Sequence, residues 1–191
     1  MPLADSPSTV PRIAYSVFTD TPAGLGPLLL CAEAHGLVAV QFSRAPTDGG
    51  DLADFAIEPT PTWQRDDVHP VIRRASHELC EYFTGQRRVF SVPRAPHGTP
   101  FQQRVWDQLV QIPYGTTATY QQVAGRIGQP TASRAVGLAN GKNPLAIVVP
   151  CHRVIGKSGG LTGYAGGLSR KRVLLELEQR VAGSALSFAW L

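Results

Sequence analysis

Tyr120-Gln121-Gln122-Val123-Ala124-Gly125-Arg126-Ile127, then Gly128-Gln129-Pro130-Thr131, then Ala132-Ser133-Arg134-Ala135-Val136-Gly137-Leu138-Ala139-Asn140, is the stretch that decides the fold. It reads as two short helices, Tyr120 to Ile127 and roughly Ala132 to Asn140, separated by a turn that contains Gly128 and Pro130. Such a pair is either a helix-turn-helix or an ordinary helical hairpin. The second helix is informative for what it lacks. Reading bases in a major groove calls for Arg, Asn, Gln or Lys side chains. Here Ala132, Ser133, Ala135, Gly137 and Ala139 are small, and Arg134 is the one long polar side chain before Asn140. Small residues let a helix backbone approach a narrow surface such as a minor groove, while reading little sequence. Arg134 on that face binds phosphate, enters the base stack in place of an extruded nucleotide, or is a plain solvated charge.

Downstream, the apolar run 145–149 leads into Pro150-Cys151-His152-Arg153-Val154. A thiol near pKa ~8.5 is mostly protonated at neutral pH and needs a base or a positive neighbour to become a nucleophile. His152 is the nearest base; the bland alternative is a buried cysteine packed as a small hydrophobe. The glycines at 159, 160, 163, 166 and 167 mark a loop that approaches something closely. Beyond them Ser169 is placed to cap a last helix, with Val173, Leu174, Leu177 and Val181 facing inward.

Upstream, Thr99-Pro100-Phe101-Gln102 has the form of a capping box with proline at the first helical position. The helix it opens puts Phe101, Val105, Leu109 and Ile112 on one face. Residues 12–19, 26–33 and 36–43 read as three short antiparallel strands, 45–65 as a long loop, 70–83 as a helix stopped by Gly85, and 88–92 as a returning strand. Residues 1–10 read as a disordered leader and 183–191 as a loose tail. The expected boundary lies at Pro93 to Pro96, with an α/β domain at 1–96 and a more helical domain at 97–191.

The chain has 191 residues, 43% hydrophobic and 17% charged, which suits an ordinary globular core. It carries no apolar run long enough to span a membrane and no signal-peptide pattern, so the expected location is cytoplasmic, or nuclear in a eukaryote. Three scattered cysteines, Cys31, Cys80 and Cys151, argue against a disulfide framework. A net charge of +4 favours a polyanionic partner only weakly.

Six ordered motifs resemble the O6-alkylguanine-DNA alkyltransferases, also called methylated-DNA–protein-cysteine methyltransferases. They are Ile112-Pro113-Tyr114-Gly115, Tyr120-Gln121-Gln122, Ser133-Arg134-Ala135-Val136-Gly137, Asn143-Pro144, Pro150-Cys151-His152-Arg153-Val154-Ile155 and Gly163-Tyr164-Ala165-Gly166-Gly167-Leu168. The N-terminal half matches more loosely, in Leu25-Gly26-Pro27-Leu28 and Glu81-Tyr82-Phe83-Thr84-Gly85. The resemblance implies an α+β chain: a small N-terminal antiparallel sheet with a helix, then a mostly helical domain with a winged helix-turn-helix-like motif. It implies that Cys151 accepts an alkyl group from O6 of a flipped guanine, once and irreversibly, without a cofactor. His152 would relay the thiol proton through a water to Glu178, Tyr120 would protonate or hydrogen-bond N3 of the leaving base, and Asn143 would brace the loop. Arg134, Tyr120, Gln121, Gln129, Ala132, Ser133, Ala135, Gly137 and Lys157 would meet DNA. Pro150, Val154, Tyr164, Ala165 and Gly166 would line the base pocket. The implied partner is duplex DNA carrying O6-alkylguanine, bound by a monomer, with cooperative loading left open.

Ala146 stands where some members carry proline, and Ala165 where others carry serine, which leaves the size of alkyl group accepted open. Cys31 and His35, with Cys80 or His97, do not make a recognisable metal set, and none is expected. The rival readings are an alkyltransferase-like lesion binder, which would lack the acceptor cysteine, and a Cys-His hydrolase, whose histidine usually comes from a distant part of the chain.

Overall fold

Leu28-Leu29-Leu30-Cys31-Ala32 is apolar without alternation, the pattern of a strand covered on both faces. In the computed structural model, which describes residues 12–44, 55 and 63–183, this strand is the centre of the N-terminal half. Strands β1 (Ile13–Phe18), β2 (Leu28–Glu33) and β3 (Gly36–Phe42) form an antiparallel meander. Helix α1 (Pro70–Phe83) covers one face, packing Ile72, Ala75 and Leu79 into the cluster that holds Leu28, Leu30 and Ala32. Leu29 and Cys31 point the other way and pack with Val38, Ala39 and Phe55.

Two expectations change. The loop expected at 45–65 contains strand β4 (Trp63–Arg65), which pairs parallel to β1, so the sheet runs β3-β2-β1-β4 and is mixed rather than purely antiparallel. A three-residue strand is too short to show a period. Residues 88–92 form no strand. The Ser91 and Val92 amides instead donate to the buried Glu78 carboxylate, at 2.7 and 3.0 Å, which removes them from any ladder. The leader at 1–10, most of 45–62 and the tail from 184 lie outside the described residues.

The free edge of β3 is occupied by chain from further along. Leu37 exchanges backbone hydrogen bonds with Pro93 and Ala95, and Val40 does so with Pro144 and Ala146. The second pair fastens the sheet to the segment just before Cys151.

Helix α2 (Pro100–Val110) starts on the expected capping box, Thr99 with Gln102, which stabilises a helix start by about 1 kcal/mol. It buries Val105, Trp106 and Leu109, each contributing about 1.5–3 kcal/mol. The Trp106 indole also donates to the Ala139 carbonyl at 2.9 Å. After strand β5 (Ala118–Thr119), helix α3 (Tyr120–Arg126) opens on a second capping box, Thr119 with Gln122, and α4 (Ser133–Gly141) follows across the turn. Strand β6 (Val154–Ile155) pairs parallel to β5 and sets the glycine-rich loop beside these helices. Helix α5 (Leu168–Ala182) closes the fold. Its cap is Gly167, at φ +87°, with no side-chain hydrogen bond; Ser169 lies inside the first turn instead of capping it. Between α4 and Cys151, Ile147 is the one non-glycine residue with positive φ, +71°, among the described residues.

Candidate active site and nucleic-acid interface

Cys151 opens a single 3-10 turn, Cys151–Arg153, and is buried at 5% exposure. Its backbone is fixed by the Asn140 amide, which donates to its carbonyl at 3.4 Å. Asn143 holds the thiol. Its Nδ2 lies 3.0 Å from Cys151 Sγ and 2.8 Å from the Val149 carbonyl, while its Oδ1 accepts from the Leu145 amide at 3.0 Å. Burial raises the Cys151 pKa, and the Asn143 hydrogen bond and the Lys171 charge oppose that rise. At rest the sulfur therefore holds its proton and needs a base to release it.

The nearest candidate base is next in the chain. His152 is fully buried, and its Nε2 lies 2.9 Å from Glu178 Oε1. Burial lowers the His152 pKa more than Glu178 raises it, so the ring is neutral at physiological pH. A neutral ring facing a carboxylate donates through Nε2, which leaves Nδ1 as an acceptor. Nδ1 is buried and has no protein partner among the described residues.

Glu178 gathers hydrogen bonds from four residues, His152 among them. It accepts from the Tyr82 hydroxyl at 2.7 Å, from the Gly115 amide at 3.0 Å, and from both Nε and Nη2 of Arg153 at 2.9 Å. Burial pushes its pKa up, but His152 and Arg153 outweigh that and hold it far below the usual carboxylate range. Glu178 therefore stays ionised throughout, able to stabilise an imidazolium without taking its proton.

Lys171 enters the site from the same face of α5, two turns before Glu178. It is fully buried, and its ammonium donates to the carbonyls of Val154 and Thr162. Burial lowers its pKa to about 8, against the effect of Cys151. Tyr164 packs beside the thiol, and burial together with its interaction with Cys151 raises the pKa of its hydroxyl.

A cleft of about 350 Å³ opens over Cys151. Tyr164, Ala165 and Gly166 line it as the sequence suggested, and so do Asn143 and Ala146. Pro150 and Val154 do not. The 3-10 turn directs Pro150 into a separate small cavity beside Arg88 and Arg94, and Val154 is a core residue whose carbonyl is occupied by Lys171. Next to the cleft lies an open groove of about 490 Å³ whose lining brings together Tyr120, Gln121, Ser133, Arg134, Gly137 and Lys157. The Tyr120 hydroxyl donates to the Thr162 carbonyl at 3.2 Å, and burial raises its pKa, so it keeps its proton. Ala132 precedes α4, Ala135 is exposed on it, and Gln129 is exposed in the turn before it; none of the three lines the groove.

Away from this site, Cys31 is buried with its thiol pKa pushed up to about 12, and His97 pairs with Glu33 at 2.9 Å. Among the described residues no three His, Cys, Asp or Glu side chains gather as a metal site. Sequence reasoning missed Arg153, Lys171 and Tyr82. Lys171 had a signal: it shares the helical stripe of Leu174 and Glu178, and a charge on an apolar stripe has to be paired inside.

Comparison with known proteins agrees with this geometry. Residues 14–96 match the family model for the 6-O-methylguanine DNA methyltransferase ribonuclease-like domain, and residues 100–180 match that for the DNA binding domain. The methylated-DNA--protein-cysteine methyltransferase of Methanosarcina acetivorans is 47% identical over 164 residues, 86% of this chain and 97% of the relative. That of Mycobacterium tuberculosis is 47% identical over 164 residues, 85% of this chain and 92% of the relative. The crystal structure of Mycobacterium tuberculosis OGT in complex with DNA superposes with a TM-score of 0.73 at 43% identity, covering 88% of this chain and 94% of that one. The chain belongs to the 6-O-methylguanine DNA methyltransferase family.

Proposed function

We propose that this protein repairs duplex DNA by transferring the alkyl group of O6-alkylguanine to Cys151, as a methylated-DNA–protein-cysteine methyltransferase that each molecule performs once. The observation that carries the reading is the junction of two features: a buried thiol with a neutral histidine and an ionised glutamate behind it, and a helix of small residues with Arg134 beside its cleft.

The O6 of a stacked guanine cannot reach a buried sulfur, so the nucleotide rotates out of the duplex at a cost of a few kcal/mol. The small face of α4 follows the minor groove, and Arg134 fills the vacated stack. Gln121 and Lys157 hold the backbone. Inside the cleft, Cys151 attacks the carbon bonded to O6; the S–C bond forms as the C–O6 bond breaks. The thiol proton passes, by way of water, to the free Nδ1 of His152, and Glu178 stabilises the resulting imidazolium. Tyr120 supplies a proton to the departing guanine and is reprotonated, by way of water, from the His152 imidazolium, so that over the whole reaction the thiol's proton ends on the base. Asn143 and Lys171 favour the thiolate as it develops. The S–C bond of the thioether is stable, so the thiol is not regenerated and the reaction is stoichiometric.

In this reading residues 1–96 are the supporting domain, 97–191 the reacting one, and the protein works as a monomer in the compartment that holds DNA. No helix among the described residues is long and apolar enough to cross a membrane. The test is to incubate the chain with duplex oligonucleotide carrying O6-methylguanine and map the added mass. One methyl per chain on Cys151 is expected. Methyl on another residue, or more than one turnover per molecule, overturns the reading.

A further inference from the structure

The cleft over Cys151 is not built by the C-terminal half alone. Val40, Gln41 and Phe42, at the end of β3, line it together with Ala146 and Tyr164. Their placement is firm. The Val40 amide donates to the Pro144 carbonyl at 2.8 Å, and the Ala146 amide returns a bond to the Val40 carbonyl at 3.0 Å, so β3 is in register with the segment that leads to the thiol.

Phe42 is the largest side chain that β3 gives to the cleft, and it is clamped from several directions. Its ring meets the edge of Tyr164 at a centroid distance of 6.2 Å and an interplanar angle of 63°. The Arg170 guanidinium lies 4.9 Å from the Phe42 centroid. That guanidinium is itself buried and donates to the carbonyls of Leu25 and Ser43 at 2.7 and 2.8 Å, so α5 grips the N-terminal half directly behind the ring. Gly166 closes the remaining side: a Cβ placed there would come within 2.7 Å of Phe42 and 2.8 Å of Tyr164. A ring held by a cation, an aromatic edge and a glycine backbone is a fixed wall, unlike a mobile lid.

The opposite wall is open by comparison. Ala146 is small, and Ala165 beside Tyr164 is small as well. Bulk in the cleft therefore comes from Phe42 on the sheet side and from Tyr164, whose edge meets it. Arg170 directs its hydrogen bonds to Leu25 and Ser43, whereas the candidate proton path runs through His152 and Glu178.

Building on the assignment of Cys151 as alkyl acceptor, we propose that the N-terminal sheet supplies a wall of the alkyl pocket and that Phe42, clamped by Arg170, Tyr164 and Gly166, sets the largest alkyl group the protein accepts. Residues 1–96 then do more than support the fold; they determine substrate range.

The test is single-turnover kinetics of the full chain on duplexes carrying O6-methylguanine or O6-benzylguanine, for the unaltered protein, Phe42→Ala and Phe42→Leu, with urea denaturation of each. Removing a wall acts on the larger group selectively, so the ratio of benzyl to methyl rate constants rises about tenfold or more in Phe42→Ala and by a smaller factor in Phe42→Leu. Equal changes in both rate constants, or a fall in the ratio, overturn the proposal. Should Phe42→Ala fail to fold, Phe42→Leu decides alone, and an unchanged ratio there overturns it. Failure of the acceptor reading itself is distinguishable, since the unaltered protein would then carry no methyl on Cys151.

Discussion

His152 and Glu178 stand 2.9 Å apart, Nε2 to Oε1, with both side chains sealed from solvent. Glu178 also carries the bidentate Arg153, which keeps it ionised and placed to stabilise positive charge on His152.

Glu178→Gln removes that stabilisation and leaves Arg153 without its counter-charge. Alkyl transfer falls about 10²–10³-fold, and the fold loses about 3–5 kcal/mol. Stopped single-turnover assays and urea denaturation measure the two separately. The acid side follows from linkage: the folded pKa of Glu178 is depressed from its ordinary 4.5, so its contribution to stability is complete above that value. On acidification the unfolded chain binds the proton first, and the denaturation midpoint falls progressively below about pH 5.

Asn143→Ala frees the thiol and the loop together, because one amide serves Sγ, the Val149 carbonyl and the Leu145 amide. The buried groups left unpaired cost about 1–3 kcal/mol. The thiol pKa rises, so iodoacetamide labelling of Cys151 at neutral pH slows; unchanged labelling would show that Asn143 only braces the loop.

Lys171→Met moves the pH profile of the same labelling reaction upward, because a positive neighbour that favours the thiolate is gone. Stability gives an independent readout. The folded pKa of Lys171 is about 8, against an ordinary 10.5, so between those values the unfolded chain keeps a proton that the folded chain has released. Stability therefore gains with pH across that window relative to Lys171→Met. Denaturation midpoints of both proteins at the two ends of the window check the sign.

Arg134→Ala leaves urea stability within about 0.5 kcal/mol, since the side chain is exposed. Its cost falls on extrusion of the nucleotide. The ratio of the rate constant on duplex O6-benzylguanine to that on the free base drops about tenfold, in proportion to the lost flipping energy. An unchanged ratio would remove Arg134 from the flipping step.

Much of this was legible in the sequence, for identifiable reasons. The two helices around Gly128 and Pro130, the capping box at Thr99 and helix 70–83 announce themselves through local spacing and turn chemistry, and the structure has them. Cys151 and His152 are adjacent in the chain. What stayed hidden depends on contacts between distant segments. Nothing local indicates that Glu78 takes the amides of Ser91 and Val92, or that Tyr82 on α1 reaches Glu178 on α5. Phe42 looked like the end of an ordinary strand; only the register of Val40 with Pro144 and Ala146 brings it over the thiol. Pro150, just before the 3-10 turn, lines a different cavity from Cys151, which its place beside the cysteine in the sequence does not indicate.

The bonds between Val40 and the segment 144–146 reach beyond the cleft. An outermost strand with free amides and carbonyls is a template on which another chain can add. In this protein the second half of the chain covers that stretch of β3. A fragment ending near residue 96 would bare it, and self-association through β3 is the expected fate, visible as a concentration-dependent shift in size-exclusion chromatography. The two halves are therefore poor candidates for exchange as independent modules between relatives: a transplanted N-terminal sheet must arrive with a partner segment that matches its edge.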